Sequence, residues 1–127
     1  MTRFQLLLPL AVLVLVPWSP SSADDEEKAA RKNQKLAKKE VAFGIDVAQR
    51  GLWQEARFRF EQAAALNPDS ASAFNNLAVA YEHEGEFDKA RKAYERALEL
   101  DPENQMVRQN YELFKEINDR TSRRGSR

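Results

Sequence analysis

Two stretches of the chain, residues 51–68 and 85–102, repeat one another at a spacing of 34 residues. Gly51 returns as Gly85, Trp53 as Phe87, Ala56 as Ala90, Arg57 as Arg91, Phe60 as Tyr94, Glu61 as Glu95, Ala63 as Ala97, Leu66 as Leu100 and Pro68 as Pro102. A fixed period of this length marks a stacked repeat, in which one unit cannot bury its apolar face without its neighbour. The spacing excludes most globular topologies before any chemistry is considered. It points to a scaffold for binding.

The pattern inside each copy is helical. Trp53, Ala56, Phe60 and Ala63 recur at three- and four-residue steps, which places them on one helix face. Gly51 and Gly85 read as turns, and the Pro68 and Pro102 segments as helix stops. The resulting expectation is an all-α chain with helices over residues 52–66, 71–84, 87–100 and about 105–119. A further helix precedes Gly51. Its first part, residues 24–36, is a charged and solvated lead, with Asp24, Asp25, Glu26 and Glu27 ahead of the lysines and arginines, as a helix dipole favours. Asp69 or Ser70 caps the helix that starts at residue 71. Residues 121–127 contain no apolar side chain and are expected to be disordered.

The first 23 residues differ in kind. Arg3 supplies a positive start, residues 6–16 form an uncharged apolar run, and Ser21, Ser22 and Ala23 are small. This is the layout of a secretory signal peptide cut after Ala23, with an uncleaved anchor as the alternative. The expected location is therefore periplasmic or secreted, with no stable membrane insertion once the signal is removed. Lysine plus arginine and aspartate plus glutamate both total 20, so no net field selects nucleic acid as a partner. The chain has no cysteine, which excludes a disulfide framework and thiol chemistry.

The segment from Ala71 to Pro102 resembles a tetratricopeptide repeat, with Phe74, Leu77, Ala78, Tyr81, Ala90, Tyr94, Ala97 and Pro102 at the typed positions. Residues 37–70 resemble a second copy with a weaker first helix: Phe43, Gly44, Ala56, Phe60, Ala63 and Pro68 match, whereas Glu40 and Val47 depart. The expected fold is a short α-solenoid over residues 37–120, made of repeats 37–70 and 71–104 and a capping helix 105–120. Gly44, Ala56, Ala78 and Ala90 are small where helices approach, and Phe60 and Tyr94 fill the space between hairpins. In the capping helix Val107, Tyr111 and Phe114 face back toward the core. Arg108, Glu112 and Lys115 are charged where a further helix would pack, and Lys39 and Asp46 are polar at the front, so the array ends at both sides.

The resemblance implies a peptide or protein partner on the concave face. Mapped onto this chain, that face comprises Val41, Ile45 and Gln49, then Asn75, Asn76, Val79 and His83, then Gln109, Asn110 and Leu113. Its amides suit the main chain of an extended peptide. A lysine–asparagine clamp for chaperone C-termini, known in one subfamily, is not carried over: Val41 and Ile45 replace its first lysine and asparagine, and only Asn76 matches. No catalytic constellation, cofactor loop or metal motif accompanies the repeats, and the lone His83 has no partner at a catalytic spacing. Glu82, Glu84 and Glu86 around it form a solvated acidic turn or a weak cation site. Arg120, Arg123, Arg124 and Arg127 form a solubilising tail or a contact to an anionic surface. The reading is a monomeric, non-enzymatic exported adaptor, the alternative being a self-associating subunit of an envelope assembly.

Overall fold

The structure, a computed structural model, describes residues 20–125, which form five helices and no strand. These are α1 (Pro20–Gln49), α2 (Trp53–Leu66), α3 (Ala71–His83), α4 (Phe87–Leu100) and α5 (Gln105–Gly125). They stack as two antiparallel hairpins, α1–α2 and α3–α4, closed by α5. The expected all-α short solenoid is the fold observed. The apolar run of the expected signal lies outside the described residues. Among the described residues, no helix is long and apolar enough to cross a membrane.

The turns explain why the hairpins match. Gly51 and Gly85 adopt φ of 78° and 75°, a left-handed conformation that disfavours a side chain. Each turn closes with the same pair of bonds: Leu52 N–H donates to Val47 C=O and Gly51 to Ala48, and Glu86 donates to Tyr81 and Gly85 to Glu82. The return loops match as well. Ser70 Oγ accepts from Ala73 N–H at 3.1 Å and Asn104 Oδ1 from Val107 N–H at 3.1 Å, so each caps the helix that follows.

The core is a chain of three clusters. Ala37 and Val41 pack with Ala63 and Ala73. Val47, Ala56 and Phe60 meet Leu77 and Ala80, and Ala78, Ala90, Tyr94 and Ala97 meet Val107 and Phe114. Phe74 and Tyr81 of α3 touch both of the larger clusters and join them. Gly44 is a point of close approach in the first hairpin. A Cβ placed there would run into the Phe60 ring, so only glycine admits that approach.

Two elements extend beyond the expected limits. Helix α1 begins at Pro20, a residue suited to a first helical turn because its missing N–H would have no partner there. Residues 22–36 are exposed along their whole length and form an arm held as helix by local pairs such as Glu27–Arg31. At the other end, residues 121–125 continue α5 rather than forming a disordered tail. Thr121 Oγ1 donates to Ile117 C=O and Ser122 Oγ to Asn118 C=O, and Arg120 pairs with Glu116.

Candidate concave binding face

The repeat spacing organises the open face of the helices. Ile45, Val79 and Leu113 occupy one position of the repeat in α1, α3 and α5 and form an apolar row across it. Gln49, His83 and Ile117 form the next row, and Ala42, Asn76 and Asn110 the one beside it. Ile45 and Leu113 are exposed, and Val79 is half-buried.

Between α1 and α3 the row deepens into a depression of about 240 Å³, lined by Ile45, Ala48, Gln49, Trp53, Phe60, Asn76 and Val79. Four of the ten residues expected on the concave face, Ile45, Gln49, Asn76 and Val79, therefore meet at one place. Its floor is apolar and two amides stand at its edge. Asn76 Nδ2 donates to Ser72 C=O at 2.8 Å, which fixes the amide and leaves its oxygen as an acceptor with no bond of its own to the helix. His83 lies beside the depression with its ring stacked on Trp53, centroids 3.5 Å apart and planes within 5°.

Two expected members are not on the open face. Val41 is only 9% exposed: one helical turn before Ile45, it is rotated by about 40° into the seam between α1 and α3. Asn75 is 3% exposed, and its Oδ1 accepts from Asn110 Nδ2 at 3.1 Å across the α3–α5 seam. A buried amide needs such a partner, so this pair positions α5 and leaves Asn75 nothing to offer a ligand. Asn110 is half-buried by the same contact, while Gln109 and Leu113 are exposed.

Other residues on this face went unnoticed in the sequence. Trp53 belongs to α2 and reads there as part of that helix's core face, yet its ring reaches the depression. Met106 and Ile117 are 56% and 55% exposed, and they lie 34 residues after Ser72 and the concave residue His83 of α3. Applying the repeat offset from His83 to the capping helix would have found Ile117; Met106 has no such signal, because Ser72 was not among the expected residues.

The acidic turn around His83 is committed elsewhere. The Tyr94 hydroxyl donates to Glu82, and Glu84 pairs with Arg57 Nε at 2.8 Å. Among the described residues, no group of three His, Asp or Glu side chains is arranged to hold a metal ion. Arg108, Glu112 and Lys115 lie on the outer surface of α5, with Arg108 and Glu112 exposed and Lys115 paired to Glu112 at 2.8 Å.

Residues 71–104 match the tetratricopeptide repeat family. The fold agrees. The described solenoid is similar to the Arabidopsis OM64 TPR domain (TM-score 0.65, 20% identity, 69% of this chain and 73% of that one). It is also similar to the second TPR domain of human RPAP3, determined in complex with the HSP70 peptide SGPTIEEVD (TM-score 0.60, 19% identity, 75% and 85% covered). The chain thus contains a tetratricopeptide repeat and has the architecture of tetratricopeptide domains.

Among sequence relatives, the chain is 29% identical over 110 residues to the chloroplastic tetratricopeptide repeat domain-containing protein PYG7 of Arabidopsis thaliana, covering 84% of this chain. It is 33% identical over 94 residues to the uncharacterised protein y4yS of Sinorhizobium fredii, covering 71% of this chain. A match of 38% identity to the mouse protein O-mannosyl-transferase TMTC4 covers 63 residues, half of this chain. The chain spans 36%, 52% and 8% of these three relatives, respectively.

Proposed function

We propose that this chain is an exported, non-enzymatic adaptor that docks a segment of a partner protein on its concave face. The observation that carries this reading is the apolar row Ile45–Val79–Leu113 together with the depression beside it. The depression takes one bulky apolar side chain, and Gln49 and Asn76 bond the main chain on either side of it. Rigid helices hold these groups in place before the partner arrives, so little conformational entropy is lost on docking. The peptide bound by the human RPAP3 domain supports a peptide as the class of ligand. Val41 and Ile45 stand where a chaperone-type clamp would need polar groups, so the ligand differs from a chaperone C-terminus.

Affinity capture from the envelope fraction tests the site. Ile45→Asp and Val79→Asp place a charge on the row and are expected to abolish recovery of the partner while leaving the circular dichroism unchanged. Equal recovery by both forms removes the assignment. Export is tested separately: the reading expects a mature chain that starts at Asp24 in the periplasm or medium, and a full-length chain retained in the cytoplasm overturns it. The charged outer surface of α5 opposes end-to-end stacking, so a concentration-independent monomer is expected in sedimentation.

A further inference from the structure

A second groove lies on the opposite side of α3 from the concave face. It is a trough of about 350 Å³ with Phe74, Tyr81 and Ala93 at its floor and Lys89, Lys92 and Arg96 on its rim. Stepping about 100° per residue around α3 puts Phe74 and Tyr81 roughly half a turn from Asn76 and Val79, so one ligand segment cannot lie in both places. The three cations fall at i, i+3 and i+7 of α4 and form a single stripe. Lys89 Nζ sits 5.8 Å from the Tyr81 ring centroid, and the Arg96 guanidinium 5.9 Å from that of Phe74. Arg96 is paired with the exposed Glu99, whereas neither lysine is ion-paired among the described residues.

The molecule contains its own comparison. Thirty-four residues earlier, the corresponding space is filled. Arg59 stands where α4 has Ala93, with its guanidinium 4.5 Å from the Phe43 ring centroid and 5.6 Å from that of Phe58. Glu55 and Glu40, which correspond to Lys89 and Phe74, hold it at 2.8 and 3.4 Å. In the first unit, then, aromatic side chains and two carboxylates enclose a cation. In the second, the filling side chain is reduced to a methyl and the acid on the rim has become a lysine. What the open copy lacks is a side chain over its aromatic floor and the two carboxylates that Glu55 and Glu40 supply in the first.

We propose that this groove binds a short acidic segment of a partner protein, placing one aromatic side chain on Phe74 and Tyr81 and carboxylates on Lys89, Lys92 and Arg96. Aromatic rings on an aromatic floor favour offset or tilted stacking. The flanking ammonium groups attract carboxylates and set the register of the segment. An extended anionic surface fits less well. Asp88, Glu95 and Glu99 flank the cation stripe on the side of α4 away from Ala93, so a continuous anionic surface meets them, whereas a short segment in the trough lies on the other side of the stripe. This surface is separate from the concave face and does not depend on its assignment.

Fluorescence anisotropy on the full chain tests the proposal, using a short fluorescein-labelled peptide of aspartate, glutamate and glycine around one phenylalanine. Lys89→Glu with Lys92→Glu is expected to weaken binding by about tenfold or more while leaving the helical dichroism unchanged, since both side chains are exposed. Ala93→Arg, which imports the residue that fills the first unit, is expected to weaken it comparably. If that variant loses its helical dichroism, the lysine variants alone decide. Ile45→Asp on the concave face is expected to leave this binding unchanged, and a peptide with alanine for phenylalanine to bind several-fold more weakly. No binding by the wild type, equal binding by the lysine variants, or equal binding of the alanine peptide overturns the proposal. So does lysine-dependent binding to phosphatidylserine vesicles without binding to the peptide, which assigns the stripe to a lipid surface.

Discussion

Gly44 shows how a single residue sets the geometry of a hairpin. Its missing side chain lets the Phe60 ring, 2% exposed, lie directly against the α1 backbone. A methyl at Gly44 meets three ring carbons at 3.0 Å or less, and the ring is packed in one cluster with Val47, Leu77 and Ala80, so it cannot shift without disturbing them. Gly44→Ala is therefore expected to destabilise the domain by about 1–3 kcal/mol in urea denaturation, the usual cost of overpacking. Helix propensity alone predicts the opposite sign, since alanine is the better helix former. A stabilised variant would show that α1 and α2 separate more easily than the contact implies. The glycine itself was legible from the repeat pattern, as a small residue where two helices approach. What it approaches became visible only when α2 was laid across it.

At the scale of the element, each later helix is tied to its predecessor by a tyrosine. Tyr81 of α3 donates to Glu61 of α2 at 3.1 Å, Tyr94 of α4 to Glu82 of α3, and Tyr111 of α5 to Glu95 of α4 at 2.8 Å. All three hydroxyls have pKa values pushed above the ordinary tyrosine range, chiefly by burial and then by the neighbouring carboxylate. Tyr94, the most enclosed, is shifted most. A raised pKa means that the folded chain keeps a proton which the unfolded chain releases above about pH 10. The stabilisation is then complete below that pH and falls as the pH climbs toward the folded value. Thermal melts are expected to decline from about pH 10 upward, less steeply in Tyr94→Phe. At neutral pH the same variant is expected to lose about 1.5–3 kcal/mol, the worth of a hydrogen bond to a charged acceptor. An unchanged alkaline slope in Tyr94→Phe would remove this tyrosine as the cause. The tyrosines stood out in the sequence as volume fillers, but nothing in their spacing named their carboxylates, which lie 12 to 20 residues away on other helices.

At the scale of the whole molecule, Phe74 and Tyr81 join the two larger clusters, so neither hairpin has a core wholly its own. Unfolding in urea is expected to be a single transition, with the most protected amides of α2 and α4 exchanging at the same free energy. Two resolved transitions would mean that the hairpins fold separately. The sequence by itself determined the helices, their turns and their order, because a 34-residue period with glycine and proline at fixed offsets fixes local backbone and repeats it. It also determined which residues are small or bulky at helix crossings. Tertiary structure decided which side chains remain for a partner, because exposure depends on how neighbouring helices rotate against one another. Four residues apart on α1, Val41 closes a seam and Ile45 faces solvent, and adjacent Asn75 and Asn76 divide in the same way. The second groove follows the same rule: Arg59 and Ala93 hold one repeat position, and only packing shows that one fills a space the other leaves open.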